Sequence, residues 1–312
     1  MYNRANIVFM GTPEISVPTL KKLNEIYNIQ AVVTVPDKPK GRGMKLQFSP
    51  VKEAALELGL NVLQPIKMCD EDFVSNIKSL SPDIIVVFAF RILPDIVYKI
   101  SKIATFNIHT SLLPKYRGAA PINWAIINGD KYSGLTTFIL KEAVDMGDIL
   151  LQKKIEILDN FTAGDLYDIM MQKAPEIAVE TCEMLLNGKY TLKYQKEDEG
   201  SNAPKIFRET AKIEWRQEVN KVVNFINGYS PVPCAYTYFD NSIMKIYRTK
   251  IEKECEINSE EVGEFFIENN CFYVKCTNGI LKVIELQLEG KKRMLVKDFL
   301  CGYRGKSNGY FI

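Results

Sequence analysis

Asn107 and His109 are the residues of this chain best suited to chemistry on a polar substrate. They stand two places apart in FNIHTSLLPKYRGAAP, residues 106–121, and His109 is the only histidine among 312 residues. Residues two apart in an extended strand project from the same side. An amide that donates hydrogen bonds and an imidazole that exchanges protons near neutral pH would then share one site. The spacing predicts a centre for acid–base chemistry with a hydrogen-bond donor beside it.

Asp145 is a carboxylate that could serve this imidazole. It lies in KEAVDMGDIL, residues 141–150, where Gly147 marks a turn after the strand-like GLTTFIL. A carboxylate beside His109 would fix the tautomer of the ring and raise its basicity. The structural alternative is that His109 satisfies a hydrogen bond in the core and Asp145 caps a turn. The SLLP turn beside His109 and an acid in a second loop favour the catalytic interpretation.

Strands and helices alternate through the first half of the chain. Apolar strands are predicted at 7–10, 83–90 and 104–110, with helical spacing between them. Fully apolar strands that alternate with helices indicate a parallel sheet covered on both faces. In such sheets ligands bind beyond the carboxyl ends of the central strands, which is where Asn107 and His109 stand. The predicted fold is α/β, a Rossmann-like, doubly wound and mostly parallel sheet.

The turn after the first strand excludes two common ligands of such sheets. It reads Gly11-Thr12-Pro13-Glu14 and has one glycine. A dinucleotide site needs G-x-G-x-x-G at this point, so that the backbone can approach a pyrophosphate. A P-loop is also absent from the sequence. We therefore expect a relative of the Rossmann fold that binds neither dinucleotides nor nucleoside triphosphates.

Three segments are predicted along the chain. Residues 1–187 form the α/β domain and end in a long amphipathic helix at 163–186. Residues 188–208 are polar and poor in periodicity, as expected of an irregular linker. Residues 209–312 alternate short strands with Asn- and Asp-rich turns, which predicts a small OB-like antiparallel β-barrel.

The composition indicates an ordinary globular protein, with 46% hydrophobic residues, 25% charged residues and a net charge of +2. A protein that coats nucleic acid non-specifically would be far more basic. The seven cysteines are scattered without a C-x-x-C pair, and with one histidine they predict no metal site. No apolar run reaches the ~18 residues of a membrane span, and the N-terminal apolar strand is too short for a signal peptide. We expect a cytoplasmic monomer with reduced thiols.

Several motifs together resemble one family. They are GTPEISVPTL (11–20), PDKPKGRGMKLQFSPVK (36–52), NIHTSLLPKYRGAAPI (107–122), DMGD (145–148) and AKIEW (211–215). The chain resembles the folate-dependent formyltransferases, in particular those that act on methionyl-tRNA. The likeness extends over nearly the whole sequence.

The resemblance implies catalytic roles for Asn107, His109 and Asp145, and 10-formyltetrahydrofolate as the co-substrate without a metal. It also implies folate contacts in the SLLP turn, at Ser111, Leu112, Leu113 and Pro114. Around the pterin we expect an apolar wall built by Phe88, Ala89, Phe90, Arg91, Leu93 and Val144.

The implied reaction is attack by the α-amine of methionine, carried on initiator tRNA, on the formyl carbon of the folate. The tetrahedral oxyanion then collapses with loss of the folate N10, to which His109 helps to return a proton. An α-amine titrates near pH 8, so much of it is protonated at neutral pH and needs a base. We expect His109, oriented by Asp145, to accept that proton. Asn107 is expected to stabilise the oxyanion by donating an N–H bond.

A basic segment favours tRNA as the carrier of the amine. Residues 38–52 hold five lysines and arginines and no acid, and glycines flank Arg42. By resemblance this loop enters the acceptor stem. The predicted tRNA-binding residues are Lys38, Lys40, Arg42, Lys45, Lys115 and Arg117, with Lys52 and the cluster at 291–293 as further basic positions.

Three alternatives stay open on the sequence alone. A formyltransferase could act on an amino-sugar nucleotide or on glycinamide ribonucleotide, although neither needs the basic loop or the second domain. The scaffold could also belong to a non-catalytic RNA-binding protein. A hydrolase of formyltetrahydrofolate would use water in place of the amine.

Overall fold

A computed structural model describes residues 5–40, 45–196, 198–240 and 242–311. Its N-terminal elements, in chain order, are β1 (Asn6–Gly11), α1 (Val17–Ile26), β2 (Asn28–Val33), β3 (Lys38–Lys40), β4 (Lys45–Gln47), α2 (Pro50–Glu57), β5 (Val62–Leu63), α3 (Glu71–Leu80), β6 (Ile84–Phe88), α4 (Asp95–Tyr98), β7 (Ala104–His109), β8 (Arg117–Gly118), α5 (Pro121–Ile127), β9 (Tyr132–Ile139), β10 (Ile149–Glu156) and α6 (Ala163–Leu186).

Seven of these strands form one sheet in the order β10-β9-β7-β6-β1-β2-β5. The pairs from β7 through β6, β1 and β2 to β5 are parallel, whereas β9 runs antiparallel to β7. All five residues of β6 are buried, as expected of a central strand with both faces covered. The predicted mostly parallel sheet is confirmed.

Local signals place the helices between these strands. Ser49 accepts a hydrogen bond from the backbone N–H of Lys52 and so caps α2, and Asp70 caps α3 through the N–H of Phe73. Pro121 stands in the first turn of α5, where its missing N–H has no cost. The caps of α2 and α3 stand at the start of helices whose buried faces cover the sheet.

The segment 38–47 differs from the loop that the sequence predicted. Its two ends form a small antiparallel hairpin, β3 with β4, in which Lys38 pairs with Gln47 and Lys40 with Lys45. Two short strands fit the alternation of lysine with Pro39 and Leu46. Lys38, Lys40 and Lys45 therefore stand on this hairpin.

The C-terminal elements are β11 (Asn202–Ala203), α7 (Val219–Gly228), β12 (Ala235–Phe239), β13 (Ser242–Glu254), β14 (Glu264–Glu268), β15 (Cys271–Cys276), β16 (Gly279–Leu288), β17 (Met294–Leu295), α8 (Val296–Gly302) and β18 (Asn308–Tyr310). Strands β12-β13-β16-β15-β14-β18 form a curled antiparallel sheet, with β17 paired to β16, in agreement with the predicted OB-like barrel. Its core is aromatic: Phe265 lies 5.2 Å from Phe239 and 5.4 Å from Phe272, measured between ring centroids.

The chain divides into two compact units that interleave along the sequence. One contains residues 1–118, 134–155 and 167–202, and the other contains 119–133, 156–166 and 203–312. The boundaries at residues 187 and 208 remain predictions from the sequence. Of the helices in the described chain, none combines the length and apolarity that crossing a bilayer requires.

Candidate active site

The carboxyl ends of β1, β6 and β7 lie side by side in the sheet. Gly11 at the end of β1 pairs with Phe88 at the end of β6, and Phe88 pairs with Ile108 in β7. A Cβ on Gly11 would lie 3.1 Å from the Phe88 carbonyl oxygen, so glycine permits this close approach. His109 is the last residue of β7. The sheet therefore brings the predicted site residues to the edge where such folds bind ligands.

His109 is fixed by a backbone carbonyl. Its Nε2 lies 2.8 Å from the carbonyl oxygen of Tyr116, and the residue is 6% exposed. A carbonyl oxygen can only accept a hydrogen bond, so the Nε2 atom carries the proton and Nδ1 keeps its lone pair when the ring is neutral. The Nδ1 atom faces Asp145, whose Oδ2 lies 3.8 Å away. The tautomer is thus fixed by Tyr116 and not, as the sequence suggested, by Asp145.

The loop after β7 holds both partners of this ring. Tyr116 has a left-handed backbone with φ 63°, and its N–H donates to the Ser201 hydroxyl at 2.9 Å. Gly118, with φ 120°, donates its N–H to Asp145 Oδ2 at 2.9 Å. One short loop therefore presents a carbonyl to the imidazole and an N–H to the carboxylate.

Asp145 is carried by a loop with little room to move. Its backbone has φ 55°, a left-handed conformation that Asp tolerates better than most residues. A Cβ on Gly147 would lie 1.6 Å from the Ile139 carbonyl oxygen, so only glycine fits there. The buried Gln195 amide donates to the Asp145 and Gly147 carbonyl oxygens at 2.9 and 2.7 Å. Several contacts therefore fix this loop, and they hold the Asp145 carboxylate beside the His109 imidazole.

Asn107 lies on the same strand as His109 and is half-buried. Its backbone pairs with Val87 on one side and Phe138 on the other. Among the described residues, no hydrogen bond to its side-chain amide occurs. The amide can therefore donate to a ligand without breaking an existing bond.

Several predicted folate contacts have side chains that are committed to the protein. Ser111 is fully buried and donates its hydroxyl to the Lys115 carbonyl oxygen at 2.6 Å. Leu113 packs with Phe138 and Ile149, and Phe88 is 1% exposed. These residues could meet a ligand through their backbone at most. Their side chains build the turn and the sheet core.

Other predicted contacts have surfaces that a ligand can reach. Val144 is 51% exposed beside Asp145, and Ala89 is exposed with a left-handed backbone at the end of β6. Leu112, Pro114 and Phe90 are half-buried, whereas Leu93 is buried. The predicted folate contacts whose side chains a ligand can reach are thus Ala89, Phe90, Leu112, Pro114 and Val144.

Arg91 is used to hold a neighbouring loop. Its guanidinium donates to the carbonyl oxygens of Pro65 and Ile66 at 2.7 and 3.0 Å and lies 3.2 Å from the Met68 sulfur. Burial lowers the pKa of this guanidinium. The Nε atom of Arg91 is buried without a partner among the described residues. The cation therefore fixes residues 65–68.

The predicted tRNA-binding residues fall into two groups. Lys38 is exposed on β3 and Lys115 is exposed in the loop after β7, whereas Arg42 lies outside the described residues. Arg117 donates to the Gln195 side-chain oxygen at 3.1 and 3.2 Å. Lys52, a further basic position, is paired with Asp37 and the Gln64 amide oxygen. Arg117 and Lys52 thus have partners within the protein.

Three residues of the site carry no signal in the sequence: Tyr116, Gly118 and Gln195. Tyr116 and Gly118 belong to the quoted KYRG motif, but a carbonyl and an N–H leave no signature in a side-chain pattern. Gln195 lies in the polar segment predicted as a linker. Among the described residues, no group of three or more His, Cys, Asp or Glu side chains could hold a metal ion.

Family models match both parts of the chain. The formyl transferase model matches residues 5–182, and the formyl transferase C-terminal domain model matches residues 205–304. The chain belongs to the formyl transferase family. The resemblance inferred from the motifs is confirmed, and so is the expectation of an enzyme of this type.

Curated formyltransferases are similar over almost their full length. The methionyl-tRNA formyltransferase of Clostridium novyi (strain NT) is 43% identical over 299 residues, covering 95% of this chain and 96% of that protein. The methionyl-tRNA formyltransferase of Bacteroides fragilis is 41% identical over 308 residues, covering 95% and 94%. Both therefore contain the two parts that this chain contains.

A solved formyltransferase shares the fold. The N-formyltransferase from Helicobacter canadensis, solved with folinic acid and dTDP-3-aminofucose, superposes with a TM-score of 0.68 at 18% identity. The alignment covers 89% of this chain and 98% of that one. At 18% identity this likeness shows that the two proteins share a fold, and it shows no more than that.

Replacing Gly147 with alanine should destabilise the fold, because the new Cβ would overlap the Ile139 carbonyl oxygen. We expect the free energy of unfolding to fall by about 3 kcal/mol, measured by urea denaturation. Gly302→Ala is the matched control, since nothing lies within 4 Å of its added Cβ in α8. A Gly147→Ala variant as stable as the control would contradict the packing described for the Asp145 loop.

Proposed function

We propose that this formyltransferase transfers the formyl group of 10-formyltetrahydrofolate to the α-amine of methionine on initiator methionyl-tRNA, for translation initiation. The observation that carries the proposal is the imidazole of His109 facing Asp145 at 3.8 Å, with the unpartnered amide of Asn107 on the same strand. The acceptor is inferred from relatives named methionyl-tRNA formyltransferase at 43% and 41% identity. Initiation takes place in the cytoplasm, and we infer that the enzyme acts there as a monomer.

His109 is the base of this proposal. Much of the amine is protonated at neutral pH, since α-amines titrate near pH 8. Because Nε2 is hydrogen-bonded to the Tyr116 carbonyl oxygen, the atom that can accept the proton of the amine is Nδ1. The ring is nearly withdrawn from solvent, so charges within the site interact more strongly than they would in water.

Asp145 stabilises the charge that His109 acquires. After protonation, the Nδ1–H faces the Asp145 carboxylate, and the two form an ion pair. The Gly118 N–H bond to Asp145 Oδ2 holds the carboxylate in place for it. The gap of 3.8 Å exceeds a hydrogen bond, as is common for catalytic pairs without substrate. The carboxylate therefore acts through the imidazole.

The folate supplies the electrophilic formyl carbon when it is bound. Asn107 would donate its amide N–H to the formyl oxygen as negative charge develops there. Ala89, Phe90, Leu112 and Val144 offer apolar surface for the ring system, and their backbone groups offer polar contacts. Related proteins have been solved with folate derivatives, the H. canadensis enzyme with folinic acid and HypX from Aquifex aeolicus with tetrahydrofolic acid.

Two surfaces support a tRNA acceptor. The β3–β4 hairpin carries Lys38, Lys40 and Lys45, and the contacts of Lys52 with Asp37 and Gln64 brace its base.

In the C-terminal unit, exposed aromatic rings lie beside lysines. Lys212 lies 5.5 Å above the Tyr238 ring, and Lys205 lies 5.3 Å above the Phe207 ring. Aromatic rings with adjacent cations suit stacked bases and phosphates. Arg293, from the basic cluster at 291–293, is paired with Glu285.

Replacing the three site residues should abolish turnover while leaving the fold intact. We expect His109→Ala and Asp145→Asn to lower kcat by at least ~100-fold, through loss of the base and of its counter-charge. Asn107→Ala should cost about 100- to 1000-fold, as for other oxyanion donors. The measurement is formyl transfer from 10-formyltetrahydrofolate to charged initiator tRNA, with uncharged tRNA and an amino-sugar nucleotide as alternative acceptors.

Glu142→Gln is the control for these variants, because Glu142 is an exposed acid on the same loop. Thermal melting establishes that each variant is folded. Turnover of His109→Ala or Asp145→Asn within threefold of the unsubstituted enzyme would refute the assignment. If formate were released without an amine acceptor as fast as formyl is transferred to methionyl-tRNA, the enzyme would be a hydrolase instead.

Lys38→Ala should weaken the use of tRNA without affecting folate. Because Lys38 is exposed at the start of the hairpin, we expect KM for methionyl-tRNA to rise several-fold at low salt. The slope of log kcat/KM against log salt should fall by about 1 if one phosphate contact is lost. Lys173→Ala, an exposed lysine on α6, is the control. An unchanged salt slope would count against a phosphate contact at Lys38.

A further inference from the structure

The segment predicted as a linker lies against both loops of the active site. Ile149 and Lys193 exchange backbone hydrogen bonds at 2.9 Å in each direction. Ser201 accepts from the Tyr116 N–H through its hydroxyl and from the Arg117 N–H through its carbonyl. Between these two anchors the segment carries Gln195. Lys193, Gln195 and Ser201 therefore contact the loop that follows His109 and the loop that holds Asp145.

Gln195 uses every polar atom of its side chain. The residue is 2% exposed. Its Nε2 donates to the Asp145 carbonyl oxygen at 2.9 Å and to the Gly147 carbonyl oxygen at 2.7 Å. Its Oε1 accepts from Arg117 Nε and Nη2 at 3.2 and 3.1 Å. Because a guanidinium can only donate, Arg117 also decides which end of the amide faces the Asp145 loop.

These contacts fix the backbone on both sides of the Asp145 side chain. The loop bends through a left-handed Asp145 and a tightly enclosed Gly147. Removal of Gln195 would leave two carbonyl oxygens without their donor, and the loop would turn them toward water. A rotation of these peptide planes would move the carboxylate away from Nδ1 of His109.

We propose that Gln195 is a positioning residue for formyl transfer, which sets the distance between Asp145 and His109 and is itself oriented by Arg117. This inference rests on the proposed function. Misplacement of a catalytic group by about 1 Å can cost on the order of 100-fold in rate. The Gln195 side chain touches no reacting atom in this scheme, and its effect passes through Asp145.

The test is a double-mutant cycle in single-turnover formyl transfer to methionyl-tRNA. The unsubstituted enzyme is assayed first, and its failure to transfer formyl would refute the proposed function itself. In an active enzyme, Gln195→Met should lower the rate by about 10- to 100-fold, with KM for tRNA and for folate within threefold. In the Asp145→Asn background the same substitution should lower the rate less than threefold, because the group it positions is already gone.

Lys196→Met is the matched control, since the Lys196 side chain is exposed on the same segment and pairs with Glu199. Gln195→Glu is the second variant, because it keeps the acceptor for Arg117 but replaces the donor to the two carbonyls. It should lose as much rate as Gln195→Met. A loss that multiplies fully with Asp145→Asn, or a Gln195→Glu enzyme as fast as the control, would overturn the positioning role. If Gln195→Met does not fold, Gln195→Glu alone decides by the same cycle.

Discussion

The hydrogen bond from His109 Nε2 to the Tyr116 carbonyl oxygen is the interaction on which the site depends. The bond is 2.8 Å long and His109 is nearly buried, so water does not compete with the Tyr116 carbonyl oxygen for the proton on Nε2. Its consequence is that the other ring nitrogen, Nδ1, turns its lone pair toward Asp145. His109 and Asp145 thereby face each other at 3.8 Å without a hydrogen bond between them. Nδ1 therefore remains able to accept a proton from the substrate.

This arrangement is made possible by backbone conformations that few residues adopt. Tyr116 and Gly118 direct a carbonyl and an N–H in the two directions that the imidazole and the carboxylate need, and both have positive φ. Asp145 is itself left-handed, and Gly147 lets its loop lie against the strand beside it. The sheet supplies the rigid part, since β7 fixes Asn107 and His109 on one side. The loops with positive φ orient the Tyr116 carbonyl, the Gly118 N–H and the Asp145 carboxylate.

The sequence predicted the features that leave a pattern in the periodicity and spacing of side chains. Apolar runs located the central strands, and the two-residue period brought Asn107 and His109 to one edge. It did not predict the partner of Nε2, because a carbonyl belongs to every residue and leaves no pattern. The sequence also predicted more basic side chains available for tRNA than the structure shows. Arg117 pairs with Gln195, and Lys52 pairs with Asp37. Gln195 was missed because one polar residue in a polar segment carries no signal of burial.

The tautomer of His109 is the most direct test of the arrangement. Since this histidine is the only one in the chain, nitrogen-15 NMR of a histidine-labelled sample yields one unambiguous imidazole. At a pH where the ring is neutral, the expected spectrum has a pyrrole-type Nε2 with a slowly exchanging proton and a pyridine-type Nδ1. A proton on Nδ1 of the neutral ring, or averaging between the two nitrogens, would contradict the account.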